Sequence, residues 1–262
     1  MMTCRPEIAL AHSEVYGLLA RAFSYPDAAL VAALGDGSFV ADLSAALASC
    51  AHGAPDDSAP QGDAAAQAAL AALQDTAAGE APDLARQHLI LFWPSYFRGQ
   101  SPYETAYLDH QLFQKMQQMA DIAGFYRAFG VETANIERPD FLATELEFLH
   151  YLTYREAWAR AAGHADGADI CWNAQRSFLR DHLGRWAPSF CMRLAEERDA
   201  PFYAALGALT ADYITRHAAS LDVELRPLGR ALDEPMPREH EMCDSCPAGS
   251  HEREADHATV WR

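Results

Sequence analysis

Glu137-Arg-Pro-Asp-Phe-Leu-Ala-Thr-Glu-Leu-Glu-Phe-Leu149 is the stretch on which the reading of this chain turns. Pro139 and Asp140 suit the first turn of a helix. Proline's fixed φ fits there and its missing N–H costs nothing, while an aspartate accepts orphan N–H groups and meets the positive end of the helix dipole. A helical run follows. Leu142, Leu146, Leu149 and Thr153 stack on one side, and Glu145, Phe148 and Leu152 lie on the adjoining one. Glu145 stands out because it sits beside an apolar stripe instead of opposite it. The spacing predicts a central helix from Pro139 to about Ala161.

Outward from this helix the chain reads as helical throughout. Pro6 to Phe23 has an apolar face and ends at Tyr25-Pro26. Asp27 caps a short helix through Leu34, and Ser38 opens another to about Ser49. His52 to Asp63 is loop-forming by composition. Ala64 to Ala77 is an Ala/Leu helix, and the helix opened by Pro82 ends in the bulky patch Leu89-Ile-Leu-Phe-Trp-Pro-Ser-Tyr-Phe97. Gln111 to Ala123, Ala168 to Leu183 and Pro201 to about Ala218 complete the helical segments. Beyond Leu221 the chain turns charged and proline-bearing, which predicts a partly disordered tail. The expected organisation is a helical domain over 1–221 and an acidic Cys/His tail over 222–262.

Composition bounds the function. Half of the 262 residues are hydrophobic, the formal net charge is −17, and the one lysine is Lys115. Such a chain can fill a core, while nucleic acid and anionic membrane are disfavoured partners. No apolar run has the length of a membrane span, and the first residues lack the layout of a secretory signal, so a cytoplasmic location is expected. Cys4, Cys50, Cys171 and Cys191 are scattered and read as free thiols packed as small hydrophobes. No phosphate loop, no Gly-x-Ser-x-Gly elbow and no His-Glu-x-x-His pair occurs.

Three segments in order resemble the TorD/DmsD/NarJ family of redox-enzyme maturation chaperones. Pro139, Asp140, Glu145, Leu146, Glu147 and Phe148 match its Pro-Asp-His…Glu-Leu-Glu-Phe signature, with Phe141 where histidine is usual. Pro102-Tyr-Glu-Thr-Ala-Tyr-Leu-Asp109 resembles a second, proline-led segment, with Thr105 in place of serine and Tyr107 as the aromatic. Phe178, His182-Leu183, Trp186 and then Phe202-Tyr203 resemble the third. The resemblance implies an all-α fold, a single domain of around ten helices, and no catalytic activity. It implies a cytoplasmic chaperone that binds the apo catalytic subunit of a molybdopterin enzyme of the dimethyl sulfoxide reductase superfamily. The client would be held, through a twin-arginine leader, until its cofactor is inserted. Relatives occur as monomers or homodimers that exchange helices, and Gly124 to Asn135 offers such a hinge.

Two candidate sites follow. Trp93, Phe97, Tyr103 and Tyr107 could line an apolar groove, with Glu104, Asp109, Asp140, Glu145 and Glu147 supplying negative charge. Asp109, Asp140 and Glu145 are expected at its rim. Carboxylates take guanidinium forks and aromatics cover the apolar run of a leader. The same residues also read as helix caps, solvated faces and core packing. The second site is the tail cluster His240-Glu-Met-Cys243-Asp-Ser-Cys246 with His251 and His257. It could grip Zn²⁺ or join an iron–sulfur site, which would make the chain a metal or redox carrier, or it is a flexible tail with two thiols.

Overall fold

The computed structural model describes residues 5–51, 60–80, 83–92, 101–108, 112–133 and 137–228. Ten α-helices lie among them: α1 Pro6–Phe23, α2 Ala28–Gly35, α3 Ser38–Ala51, α4 Pro60–Glu80, α5 Leu84–Phe92, α6 Leu112–Ala128, α7 Leu142–Ala161, α8 Ala165–Asp181, α9 Leu183–Leu194 and α10 Pro201–Ser220. A 3₁₀ turn, Glu104–Tyr107, precedes α6. No strand is present among the described residues; Tyr103 and Phe141 form one isolated antiparallel bridge. The fold is all-α.

Helix α7 is central because it is buried on almost every side. Leu142, Leu146, Leu149 and Leu152 are buried, and so are Thr144, Glu145, Thr153 and Glu156. A helix apolar on one stripe would leave the other half wet; this one packs against both α1 and α8. Glu156 is met from α8 and from its own helix, and Thr153 from its own turn. Gln175 Nε2 donates to Glu156 Oε2 at 2.6 Å, Arg160 Nε donates to Glu156 Oε1 at 2.7 Å, and Thr153 Oγ1 donates to the Leu149 carbonyl. Helix α10 packs on α4 and α9. A Cβ at Gly207 would lie 2.6 Å from the Cys191 carbonyl oxygen, so only glycine lets α10 approach α9 this closely.

A second buried polar group joins the ends of the chain. Tyr16 of α1 shares a 2.7 Å hydrogen bond with His217 Nδ1 of α10, and His12 Nδ1 shares one of 2.7 Å with the Tyr213 hydroxyl. The two imidazoles stack at 4.0 Å. Burial, and then Arg216, holds His12 down to about 4, and burial and His12 hold His217 well below its ordinary value, so both rings are neutral at pH 7. Neutral rings can stack where two imidazolium ions would repel.

Several boundaries differ from the sequence reading. Helix α7 begins at Leu142 and not Pro139, because Phe141 is extended and pairs with Tyr103. The expected helix to Leu183 breaks at His182, whose φ of −128° and ψ of −104° turn the chain between α8 and α9. Helix α9 itself was hidden by Pro188, which lies inside it. Asp27 does cap α2, its side chain accepting the Leu30 N–H at 2.6 Å. Among the described cysteines Cys171 and Cys191 are buried thiols and Cys50 is half-buried.

The expected end of the domain at Leu221 is too early. Val223, Leu225 and Leu228 pack on the core, and the Leu228 N–H donates to the Arg185 carbonyl at 2.8 Å. Leu225 sits directly against Gly184 at the start of α9, where any Cβ would collide with it. A chain ended after Leu221 is therefore expected to be less stable than one ended after Leu228. The expected difference in urea unfolding is about 2–3 kcal/mol, from the lost apolar contacts and one hydrogen bond; equal midpoints and slopes for the two would show these residues to be passengers.

Candidate functional site

The first two of the three segments meet in a buried knot around one carboxylate. Asp140 has no exposed surface. Its Oδ2 accepts the Thr105 hydroxyl at 2.7 Å and the Thr105 N–H at 3.2 Å. Arg138 clamps it with two bonds, Nε to Oδ1 at 2.9 Å and Nη2 to Oδ2 at 2.7 Å, and also donates to Thr105 Oγ1 at 2.8 Å. The backbone closes the arrangement: Glu104 N–H donates to the Asp140 carbonyl and Leu142 N–H to the Pro102 carbonyl, each at 3.0 Å. The Arg138 guanidinium lies 4.3 Å over the Tyr103 ring, which packs at 5.5 Å on Phe141. Thr105 keeps the hydroxyl this knot needs. Phe141 fills its position by packing.

The third segment joins through a second carboxylate. Glu145 is fully buried, and the Trp186 indole N–H donates to its Oε2 at 3.2 Å. Its Oε1 finds no conventional donor, and neither does Oε2 of the buried Glu104. Glu104 is the acidic neighbour of Glu145 inside the fold. Burial first, and then Glu104, pushes the Glu145 carboxyl well above the usual carboxylate range, which favours its protonated form. Glu104 Oε1 accepts the Gln118 amide of α6 at 2.6 Å. His182 Nδ1 lies 3.4 Å from Glu104 Oε2, and its Nε2 lies 3.6 Å from the exposed Asp121. Tyr107 is buried as well; its ring lies 5.4 Å from Trp186, and its hydroxyl donates to the Ser101 carbonyl and accepts from Arg193.

These positions correct the expected groove. Asp140 and Glu145 are not at a rim: both are buried, Asp140 with both oxygens bonded and Glu145 with Oε2 bonded to Trp186. Asp140 is not a helix cap either, since Phe141 holds that position without a side-chain bond. Glu104 and Tyr107 are likewise inside. Tyr103 is half-buried under Arg138, and Glu147, between the buried Leu146 and Phe148, is exposed. Trp93, Phe97 and Asp109 lie outside the described residues, as do His240, Cys243, Cys246 and His251. Among the described residues no group of three or more His, Cys, Asp or Glu side chains converges as a metal site. Sequence reasoning missed Arg138, Gln118 and the His12/His217 pair. Only Arg138 gave a signal, as the cation beside Pro139-Asp140.

Fold and site together define a helical scaffold whose signature residues hold segments together instead of converging on a reacting atom. The comparisons place it. The chain belongs to the nitrate reductase delta subunit family, whose profile matches residues 57–192, and with it to the TorD/NarJ group of maturation chaperones. It is 28% identical over 224 residues to the perchlorate reductase assembly chaperone protein of Dechloromonas aromatica, covering 84% of this chain and 94% of that one. It is 36% identical over 105 residues to the chlorate reductase assembly chaperone protein of Ideonella dechloratans, covering 39% and 52%. To the chaperone protein TorD of Vibrio cholerae it is 30% identical over 144 residues, covering 53% and 63%. Its family is one of assembly chaperones and not of enzymes.

The raised Glu145 carboxyl has a measurable consequence. A carboxyl whose value is raised on folding takes up a proton in the folded state, while the unfolded chain has released it above its ordinary value of 4.5. Stability from this group is therefore lost as pH rises from about 4.5 towards the folded value. Glu145→Gln supplies the donor permanently. Its stability relative to the native chain should rise with pH, at up to about 1.4 kcal/mol per pH unit within that window. Urea midpoints of both proteins from pH 5 to 9 test this, and parallel curves would show that folding does not raise the Glu145 carboxyl.

Proposed function

We propose that this protein is a system-specific cytoplasmic chaperone for the catalytic subunit of a molybdopterin enzyme of the dimethyl sulfoxide reductase superfamily. The observation that carries the reading is the alignment to the perchlorate reductase assembly chaperone, which runs over nearly the whole of that protein. The client is the apo-subunit, engaged through a twin-arginine leader and held until its cofactor is inserted. No bond is made or broken. The chaperone's work is binding and timing, and the binding energy must be modest enough for release.

Physical features support this reading. A net charge of −17 attracts a basic leader and repels anionic surfaces. No single helix among the described residues is long and apolar enough to cross a membrane. The pair α2 and α3 passes by composition only, bent by 80°, and it buries Leu30, Leu34, Phe39 and Leu43 in the core. The rigid knot of the three segments gives a surface that is set before the client arrives, which lowers the entropy lost on binding.

Capture from the native host grown anaerobically, with mass spectrometry of what co-purifies, tests the proposal. The expected catch is a molybdopterin-enzyme catalytic subunit that still carries its leader. Recovery of other proteins with no such subunit would overturn it.

A further inference from the structure

Residues 233–262 are a unit of their own and lie outside the described residues. Their composition is not that of a helical core. Apart from alanines and cysteines, their apolar residues are Met236, Met242, Val260 and Trp261. So little apolar surface does not offset the entropy of ordering a segment of this length. Short segments of this kind are held by metal–ligand bonds where they carry the ligands. His240, Cys243, Cys246 and His251 supply such a set, in the spacing His-x2-Cys-x2-Cys-x4-His. Two thiols two residues apart can grip one ion from a single turn, and Pro247 and Gly249 are turn-forming types placed before the second histidine. Eight acidic residues against three arginines give the segment a field that draws a cation. Zn²⁺ displaces one proton from each thiol. Two thiolates and two neutral imidazoles then leave the site with no net charge.

The helical domain offers this ion poor competition. A thiol binds metal as thiolate, and burial raises the thiols of both Cys171 and Cys191, which keeps them protonated at pH 7. Cys50 comes within 3.6 Å of His12 Nδ1, but that nitrogen is shared with the Tyr213 hydroxyl at 2.7 Å. No third His, Cys, Asp or Glu joins them in a metal-binding group among the described residues. The helical core is also complete before the ligands begin. Val223, Leu225 and Leu228 pack on it, and the Leu228 N–H bonds to the Arg185 carbonyl at 2.8 Å. A metal held beyond residue 239 is therefore not needed to fold the helices.

We propose that His240, Cys243, Cys246 and His251 hold one Zn²⁺ in a closed tetrahedral site. Four protein ligands leave no position for a reacting water, so the ion organises the tail and does no chemistry. The site is independent of how the client is engaged, and it adds a metal-bearing segment to a helical chaperone.

The test uses the full chain, made without an affinity tag, loaded with equimolar zinc and passed through gel filtration. Metal is then counted by mass spectrometry. The native chain should keep one zinc per chain. Cys243→Ser combined with Cys246→Ser should lose it. His251→Gln should weaken zinc, read by competition with a chromophoric chelator, by about tenfold or more, since even changes outside the ligand set cost that much. His257→Gln should leave it unchanged. The cobalt(II) form should show the ligand-field bands of a tetrahedral site with thiolate charge transfer, and chelation should leave the helical circular dichroism intact. Absence of zinc from the native chain, iron with acid-labile sulfide in its place, zinc kept by the double serine variant, zinc lost in His257→Gln but kept in His251→Gln, or collapse of the helices on chelation would each overturn the proposal.

Discussion

The Asp140 carboxylate, taken out of water and bound on every side, is the constraint on which the arrangement of this molecule depends. A buried carboxylate without partners costs several kcal/mol. Here Arg138 forks onto it, and Thr105 brings it both a hydroxyl and an amide from a segment more than thirty residues earlier. That fixes Pro102–Tyr107 against the entry to α7 and makes Tyr103 and Phe141 bridge. The entry to α7 in turn sets which faces of that helix meet α1 and α8.

Glu145 extends the constraint one turn further. It reaches Trp186 on α9 and Glu104 on the 3₁₀ turn, and Glu104 reaches Gln118 on α6. Helix α6 has Leu112, Phe113 and Met116 exposed in its first half, while Ile122 and Tyr126 are buried in its second. The polar bond from Gln118 therefore falls where apolar anchoring gives way to solvent. Such a network is specific because each member is satisfied only in one arrangement. It ties the three signature segments together from inside the fold.

The helical fold was legible because periodicity, caps and proline positions agree along most of the chain. Asp27 before α2 and Pro201 at the start of α10 are local signals that survived folding unchanged. Pro188 misled because proline usually ends a helix, yet α9 carries it in its interior without the backbone hydrogen bond that an N–H there would make. The inward turn of Asp140 and Glu145 was only half legible. Glu145 beside an apolar stripe hinted at burial, but its partners Glu104 and Trp186 stand 41 residues away on either side, and spacing along one helix says nothing of them. Exposed and buried carboxylates look alike in a sequence; only tertiary contacts distinguish Glu147 from Glu145.

Asp140 and Glu145, both fully buried, hold the scaffold from inside it. The direct measurement is Asp140→Ala, read in parallel by thermal melting and by capture of the reductase subunit at a temperature below both midpoints. Loss of a buried, clamped carboxylate strands Arg138 and the Thr105 groups and should cost about 3–5 kcal/mol, a clear fall in melting temperature, while the fraction that stays folded still captures the client. An unchanged melting temperature with capture abolished would contradict the account and return Asp140 to the binding surface.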